Sequence, residues 1–209
     1  MINSIVLRII VAIVLAVFLV GSWLTTGSPN ASLLSFFSLA VMVLTLAFFV
    51  WDKWIWKWSL VQKIPRIHRN IHGTWEARLE SLWVDPNTGT KPDPQTVYFV
   101  IRQTSSKVSV LLMSKESKSI SVVAQMAINN EEWNLRFIYC NTSQLDRRKE
   151  SPIHYGTGIL ELLSGDGSII RLNGVYWTDR DSKGKLELLR RNKKIVGSYD
   201  DAEKLFGSA

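Results

Sequence analysis

The chain has 209 residues and a formal net charge of +7, from 25 lysines and arginines against 18 acidic residues. Residues 1–51 contain a single charged side chain, that of Arg8, whereas residues 52–72 carry a net charge of +4 and residues 73–209 only +2. Binding to a DNA or RNA polymer requires a basic face on the folded domain. This charge distribution therefore excludes a dedicated nucleic-acid-binding protein. The length allows one domain with an appendage.

Two long apolar segments open the chain. Residues 5–24 and 31–51 are each long enough to cross about 30 Å of hydrocarbon at about 1.5 Å per residue. The short uncharged sequence TTGSPN between them favours a turn, so residues 1–52 predict a two-helix transmembrane hairpin. Basic residues follow the second segment closely, and the positive-inside rule then puts both termini in the cytoplasm. A cleaved signal peptide is the alternative for the first segment, but the second apolar segment disfavours it.

The second predicted span carries three small hydroxyl side chains, Ser35, Ser38 and Thr45. Their spacing places them on one face of a helix. Such a face permits close contact and hydrogen bonds between helices, so we predict that these residues contribute to transmembrane assembly. The alternative is that the hydroxyl groups bond back to their own helix.

Residues 53–72 are predicted to form a basic, tryptophan-rich juxtamembrane linker. Four of the nine tryptophans cluster near its start, at Trp51, Trp54, Trp56 and Trp58. Tryptophans in this position are typical of the aromatic belt at the headgroup level, where neighbouring lysines face lipid phosphates. Membrane lipid is therefore an expected partner. A base-stacking site is the less favoured interpretation.

After Pro65 the pattern changes from continuous apolarity to short alternating runs. We predict eight strands, over residues 73–84, 95–103, 107–114, 119–128, 132–141, 154–164, 168–178 and 185–191. Turn sequences rich in Gly, Pro, Asn and Ser separate them. An even number of sequential strands with short links fits a compact up-and-down antiparallel β-barrel. The predicted fold is thus a membrane-anchored all-β protein with its soluble domain over residues 73–209. Ser198 and Asp201 indicate a capped helix at the C-terminus.

Aromatic residues recur at one end of the predicted barrel. If the first strand runs away from the membrane, the far mouth receives Trp83, Tyr98, Tyr139, Tyr155, Tyr176 and Trp177. Basic residues in the mouth loops surround them: Lys91, Arg147, Arg148, Lys149, Arg180, Lys183 and Lys185. Aromatic faces ringed by cations suit a small anionic ligand that contains bases or rings, such as a cyclic nucleotide. The alternative is that these aromatics only form strands and these charges are only solvated.

Alternation within the strands predicts which side chains point inward. In the fifth strand we expect the apolar set to face the interior: Trp133, Leu135, Phe137 and Tyr139. In the seventh strand the set Leu172, Gly174 and Tyr176 is expected inside, which puts Arg171, Asn173 and Trp177 outside.

The sequence contains no convincing catalytic or metal-binding motif. His68 and His72 have the spacing of a zinc helix but lack the adjacent acidic residue, and a strand begins there. The turn DRDSKG starts like a calcium loop at Asp179, yet Arg190 stands where the final acidic ligand is needed. We therefore expect a binding protein without catalytic residues, metal or cofactor.

The chain resembles a known family. Residues 72–79, HGTWEARL, and residues 173–190, NGVYWTDRDSKGKLELLR, together with the two predicted spans, are similar to CD-NTase-associated protein 15. That family comprises two-transmembrane β-barrel effectors of CBASS, the bacterial anti-phage systems that signal with cyclic oligonucleotides. The residues proposed to contact the ligand are those of the mouth, four of which lie in the second motif: Tyr98, Tyr139, Tyr155, Tyr176, Trp177, Thr178 and Arg180.

The resemblance implies a mechanism. A separate nucleotidyltransferase makes a cyclic dinucleotide on phage infection, and the barrel binds it. The protein then forms homo-oligomers, and its spans disrupt the bacterial inner membrane and kill the infected cell.

Two other functions stay open on the sequence. The Gly73–Trp75 opening is also typical of lipocalin-like carriers, in which the tryptophan plugs the closed end under an arginine from the last strand, here Arg190 or Arg191. Such a barrel would carry a lipid or another small molecule. A membrane scaffold with a filled barrel is the third possibility.

Overall fold

The computed structural model describes residues 11–12, 15–16, 19–20, 22–24, 27–28, 31–64, 67–86, 88–129, 132–144, 152–165 and 168–207. The chain divides into two compact units, Met1–Trp58 and Ser59–Ala209. Residues 59–72, predicted as part of the linker, belong to the second unit.

The first unit contains helix α1 (Ala31–Lys53), followed by a short 3-10 helix over Ile55–Lys57. Within the described part of the chain, no helix combines the length and the apolarity needed to cross a membrane. Most of the first predicted span, and the side chains of Ser35 and Ser38, lie outside the described residues. Thr45 donates its hydroxyl to the carbonyl oxygen of Val41 at 2.8 Å, which is the back-bonding alternative. The transmembrane hairpin stays a prediction.

The second unit begins with the short helix α2 (Ser59–Gln62) and contains eight strands. The strands are β1 (Gly73–Ser81), β2 (Gln95–Gln103), β3 (Val108–Met113), β4 (Ser117–Asn129), β5 (Glu132–Ser143), β6 (His154–Gly165), β7 (Ser168–Thr178) and β8 (Lys183–Asn192). Each pairs antiparallel with its neighbours in sequence, and β1 pairs with β8, so the sheet closes into a barrel. The predicted eight-stranded barrel is confirmed. Only strand ends differ: β1, for example, ends at Ser81 rather than at residue 84.

Alternation along the strands fills the barrel interior with apolar side chains. Fully buried interior residues come from six of the strands: Trp75, Phe99, Leu135, Leu160, Leu172 and Leu188. The predicted directions are confirmed in β5, where Leu135, Phe137 and Tyr139 belong to the core, and in β7, where Leu172 is buried and Trp177 is exposed. Closure of the sheet removes every strand edge, while burial of one face of each strand provides the hydrophobic driving force.

A C-terminal helix, α3 (Tyr199–Gly207), covers part of the outer surface of the barrel. Its start is capped as predicted, because the backbone N–H of Asp201 donates to the Ser198 hydroxyl at 3.2 Å, and that hydroxyl donates to the Asp201 carboxylate at 2.6 Å. Ala202 and Phe206 of α3 pack with Tyr98, Val100 and Met113 in a second apolar cluster. Helix α3 therefore shields the outward side chains of β2 and β3 from water.

Candidate ligand-binding site at the barrel mouth

One end of the barrel is closed by Trp75. Its ring is fully buried, and its indole N–H donates to the carbonyl oxygen of Ile71 at 2.9 Å. The Arg191 guanidinium carbon lies 5.5 Å from the centre of that ring, and Arg191 also donates to the carbonyl oxygens of Asn70 and His72. Gly73 has φ +143°, and a Cβ there would lie 2.4 Å from the carbonyl oxygen of Asn192, so this position requires glycine. The predicted plug is confirmed, with Arg191 rather than Arg190 over the ring.

The other end of the barrel holds a cavity of about 190 Å³. Its walls come from the ends of strands that finish there and from the beginnings of strands that start there. Apolar side chains form part of its lining: Leu79, Val97, Leu112, Phe137 and Leu186. The cavity therefore opens at the mouth opposite Gly73, as the direction of the strands predicted.

Two of the predicted aromatic site residues, Tyr139 and Tyr176, line this cavity. Glycines on neighbouring strands make room for their rings. A Cβ at Gly156, which pairs with Tyr139, would lie 2.3 Å from that ring, and a Cβ at Gly184, which pairs with Tyr176, would lie 2.5 Å from the Tyr176 ring. Each ring lies across a strand position that has no side chain, so the barrel wall holds it in place.

Both tyrosine hydroxyl groups stay protonated in neutral solution. Burial raises the pKa of Tyr139, and the nearby Tyr176 and Asp179 raise it further. Burial likewise raises the pKa of Tyr176, while a hydrogen bond with Ser81 opposes the shift. The two hydroxyl groups are therefore available as neutral donors and acceptors.

A wall of small polar side chains from β3 to β5 completes the cavity. The Asn141 amide nitrogen donates to the hydroxyl oxygen of Ser117 at 3.1 Å and to that of Ser119 at 2.8 Å. The Ser114 and Ser117 hydroxyl oxygens are 3.0 Å apart. Asn141 and Ser119 are buried, so their hydrogen bonds offset the cost of removing them from water.

This polar wall was not predicted from the sequence. The signal for it was present, because Asn141 continues the inward series Leu135, Phe137 and Tyr139 at a spacing of two. Serine is also a common turn residue, so a serine near the end of a strand does not by itself indicate a binding site. Only the closed barrel shows that these strands bring their small polar side chains to one mouth.

Two further predicted contacts, Thr178 and Arg180, lie at the turn between β7 and β8. Thr178 lines the cavity, and its hydroxyl oxygen lies 2.7 Å from that of Ser182. Arg180 is exposed in the turn, with its backbone N–H donating to the Thr178 hydroxyl at 3.2 Å. The left-handed backbone of Asp181, with φ 59°, lets the turn reverse the chain so tightly.

The three other aromatic residues predicted to contact the ligand do not line the cavity. Tyr98 points outward and lies beneath α3, with its ring 5.8 Å from that of Phe206 in a stacked arrangement. Tyr155 and Trp177 also face outward, and they are 55% and 44% exposed. Their height along the barrel alone predicted these contacts, whereas strand alternation sends the three side chains to the opposite face. Arg147, Arg148 and Lys149 lie outside the described residues.

The site thus combines flat aromatic surfaces with hydroxyl and amide hydrogen-bonding groups and the imidazole of His154. Among its described lining residues none is Lys, Arg, Asp or Glu. Charged groups lie around the mouth instead, with Arg180 and Lys183 exposed. Such an arrangement is suited to stacking a planar ring and hydrogen-bonding its edge, with anionic groups left near the cations.

Comparison with known proteins agrees with this arrangement. Residues 63–190 match the family model described as "Cap15, cyclic dinucleotide receptor domain". The chain is also similar to CD-NTase-associated protein 15 of Staphylococcus schleiferi, with 28% identity over 151 residues, which cover 72% of this chain and 76% of that protein. Because the family model spans more than half of the chain and includes the cavity, the chain belongs to the Cap15 family of cyclic dinucleotide receptors.

Proposed function

We propose that this protein is an effector of a cyclic-oligonucleotide anti-phage system and that its barrel binds a cyclic dinucleotide at the mouth cavity. The observation that carries the proposal is a cavity flanked by Tyr139 and Tyr176 within the part of the chain that matches a cyclic dinucleotide receptor. Tyrosine faces stack on nucleobases, and the neutral serine and asparagine wall hydrogen-bonds to base or ribose edges. The ligand is the product of a nucleotidyltransferase, and the protein itself acts as a receptor.

The output of the effector in this proposal is membrane damage. Ligand binding drives homo-oligomerisation, and the two predicted spans then disrupt the inner membrane and kill the infected cell. For binding to drive assembly, the ligand must have a higher affinity for the assembled form than for the free form. The apolar segments at residues 5–24 and 31–51 and the tryptophan-rich segment that follows support this proposal.

Reconstitution in vesicles tests the output. The full-length chain is incorporated into phosphatidylethanolamine and phosphatidylglycerol vesicles that contain a self-quenching dye, and a panel of cyclic dinucleotides is added. We expect dye release only when protein and a bound cyclic dinucleotide are both present. If a cyclic dinucleotide binds to the protein in the vesicles but no dye escapes, the membrane-disrupting part of the proposal is wrong while the receptor part stands.

A lipocalin-like carrier is the second candidate. The packing of Arg191 over Trp75 at the closed end favours it, because such barrels close in that way. However, the cavity is about 190 Å³ and polar along one wall, and a lipid chain requires a deep apolar interior. Native mass spectrometry of the extracted protein separates the two, since a carrier retains a lipid and a receptor retains a nucleotide.

A further inference from the structure

The cavity is too small for a whole cyclic dinucleotide. Pockets that enclose drug-sized molecules usually measure about 300–1,000 Å³, whereas this cavity is about 190 Å³. Below it, the interior is filled by side chains with no exposed surface, among them Phe99, Leu135 and Leu160. A cyclic dinucleotide has two bases, two riboses and two phosphodiesters, so only a part of it enters.

The chemistry of the cavity selects which part enters. A phosphodiester carries a negative charge at neutral pH, and burying it away from a cation is unfavourable. The described lining residues include no lysine or arginine, and the one histidine among them, His154, begins β6 at the mouth. Lys115, Arg180 and Lys183 are exposed in or beside the turns at the mouth. The phosphates are therefore retained at the rim. A nucleobase is planar and uncharged, and it fits between aromatic and neutral polar walls.

The serine and asparagine wall has the groups required to recognise a base edge. Asn141 donates its amide nitrogen to the hydroxyl oxygens of Ser117 and Ser119. Among the residues that the structure describes, its side-chain oxygen has one contact, a long one at 3.5 Å from the Ser143 hydroxyl. That oxygen is an acceptor, and Ser119, which accepts from Asn141, keeps its own hydroxyl hydrogen for donation. The Ser117 hydroxyl also lies 3.0 Å from the Ser114 hydroxyl. The wall thus presents an acceptor beside a donor, in the pattern that reads a base.

We infer that the mouth cavity admits one nucleobase of the cyclic dinucleotide, that Asn141, Ser117 and Ser119 read its edge, and that the phosphates and the second base stay outside. The inference rests on the proposed receptor function and specifies how that site recognises its ligand. It makes base selectivity a property of one half of the ligand, because the outer base meets no wall of the cavity.

Mixed cyclic dinucleotides test the inference without any mutation. The full-length protein is titrated with cyclic di-AMP, cyclic di-GMP, cyclic di-UMP and the mixed molecules, all with the same phosphodiester linkage. A cyclic dinucleotide with two identical bases is called a homodimer here. The homodimer that binds most tightly identifies the preferred base. A mixed molecule with one preferred base should bind only about twofold more weakly than the preferred homodimer, because it can insert that base in one way instead of two. A homodimer without that base should bind about tenfold more weakly or worse.

If both bases were read, the mixed molecule would fall midway between the two homodimers on a logarithmic scale, and the inference would be overturned. Equal affinity of all members of the panel would overturn it as well. In either case the receptor function stands, because binding is observed. If the wild-type protein binds no member of the panel, the proposed function itself fails.

Variants test the polar wall. Asn141→Leu and Ser119→Ala should each reduce the preference between the two homodimers, from about tenfold towards about twofold, because hydrogen bonds to the base edge are lost. Ser109→Ala is the matched control, as Ser109 is exposed on the outer face of β3, and it should retain the wild-type preference. Retention of that preference by a folded Ser119→Ala and a folded Asn141→Leu protein would assign the reading to other residues.

Discussion

At the scale of residues, the site depends on where two tyrosine rings can lie. Tyr139 and Tyr176 point into the barrel, and Gly156 and Gly184 leave the space that their rings occupy. The inward direction of both tyrosines could be predicted from strand alternation. The packing of their rings against glycines could not be predicted, because it depends on strand register, which pairs residues from different strands.

Neighbouring residues on opposite faces of β7 allow a sharp test. We expect Tyr176→Ala to weaken cyclic dinucleotide binding by about 1–3 kcal/mol, the usual value of an aromatic–base stack. Trp177→Ala should change the affinity by less than about twofold, since Trp177 faces outward. Isothermal titration calorimetry of both full-length variants measures this difference. Equal losses in the two variants would mean that the outer face also contacts the ligand, as the sequence had indicated.

Tyr98 shows why height along the barrel was insufficient to locate the site. The sequence puts Tyr98 near the same mouth, yet its ring is buried under α3. Nothing in the local pattern of β2 reveals that a helix about one hundred residues later covers its outer face, because that contact is tertiary. Asn141 was missed for the converse reason: its direction was predictable, but its partners lie on another strand.

At the scale of elements, helix α3 is held to the barrel by both apolar and charged contacts. Arg190 of β8 forms a bidentate ion pair with Glu76 of β1, with Nη2 at 2.9 Å from Oε1. The Arg190 guanidinium carbon also lies 5.4 Å from the centre of the Phe206 ring. Arg190 therefore links the seam between the first and last strands to the helix. The capped start of α3 was predictable, whereas its docking position was not.

Burial of Tyr98 beneath α3 predicts a loss of stability in alkaline solution. Burial raises the pKa of Tyr98 from 10.0 to about 12, and Tyr199, Glu76 and Glu203 contribute in the same direction. The unfolded chain then loses this proton at a lower pH than the folded chain. The free energy of unfolding should be unaffected by this group below about pH 10 and should fall between about pH 10 and pH 12.

Urea denaturation followed by tryptophan fluorescence measures this effect. Full-length wild-type protein and Tyr98→Phe are compared at about pH 8, pH 10 and pH 11.5. Wild-type midpoints should decline more steeply above about pH 10 than those of Tyr98→Phe. The decline should persist in part in the variant, because burial also raises the pKa of Tyr139 and Tyr176. Parallel curves for the two proteins would show that Tyr98 ionises equally easily in both states.

At the scale of the whole molecule, the two compact units carry different kinds of sequence. The first 51 residues are almost uncharged, and the charged residues belong to the remainder of the chain. The barrel could be predicted almost completely, because few other folds are compatible with strand alternation of period two and with such frequent turn residues. The proposed assembly of the N-terminal segments depends on contacts between copies of the chain, which neither composition nor strand alternation specifies.

The hydroxyl side chains of Ser35, Ser38 and Thr45 on one helix face, called the polar stripe here, were predicted to mediate assembly. Two leucine substitutions in the full-length chain test this prediction. If the hydroxyl face mediates helix contact, Ser38→Leu should weaken self-association by about 0.6 kcal/mol, roughly threefold, the average for an interhelical hydrogen bond in a membrane. Thr45→Leu should have a smaller effect, because the Thr45 hydroxyl donates to Val41 within its own helix. Crosslinking yield with ligand present provides the measurement. Unchanged yield in the double variant would exclude the stripe from assembly.

The central claim is that the barrel mouth is a cyclic dinucleotide receptor. Its most direct test is calorimetric titration of the purified full-length protein with cyclic dinucleotides, in parallel with Tyr176→Ala. We expect at least one cyclic dinucleotide to bind saturably at micromolar or tighter affinity, with one ligand per barrel, and binding to be clearly weaker in the variant. Absence of binding to the wild type below about millimolar concentration, corresponding to about 4 kcal/mol of binding free energy, would contradict it, as would full affinity in Tyr176→Ala.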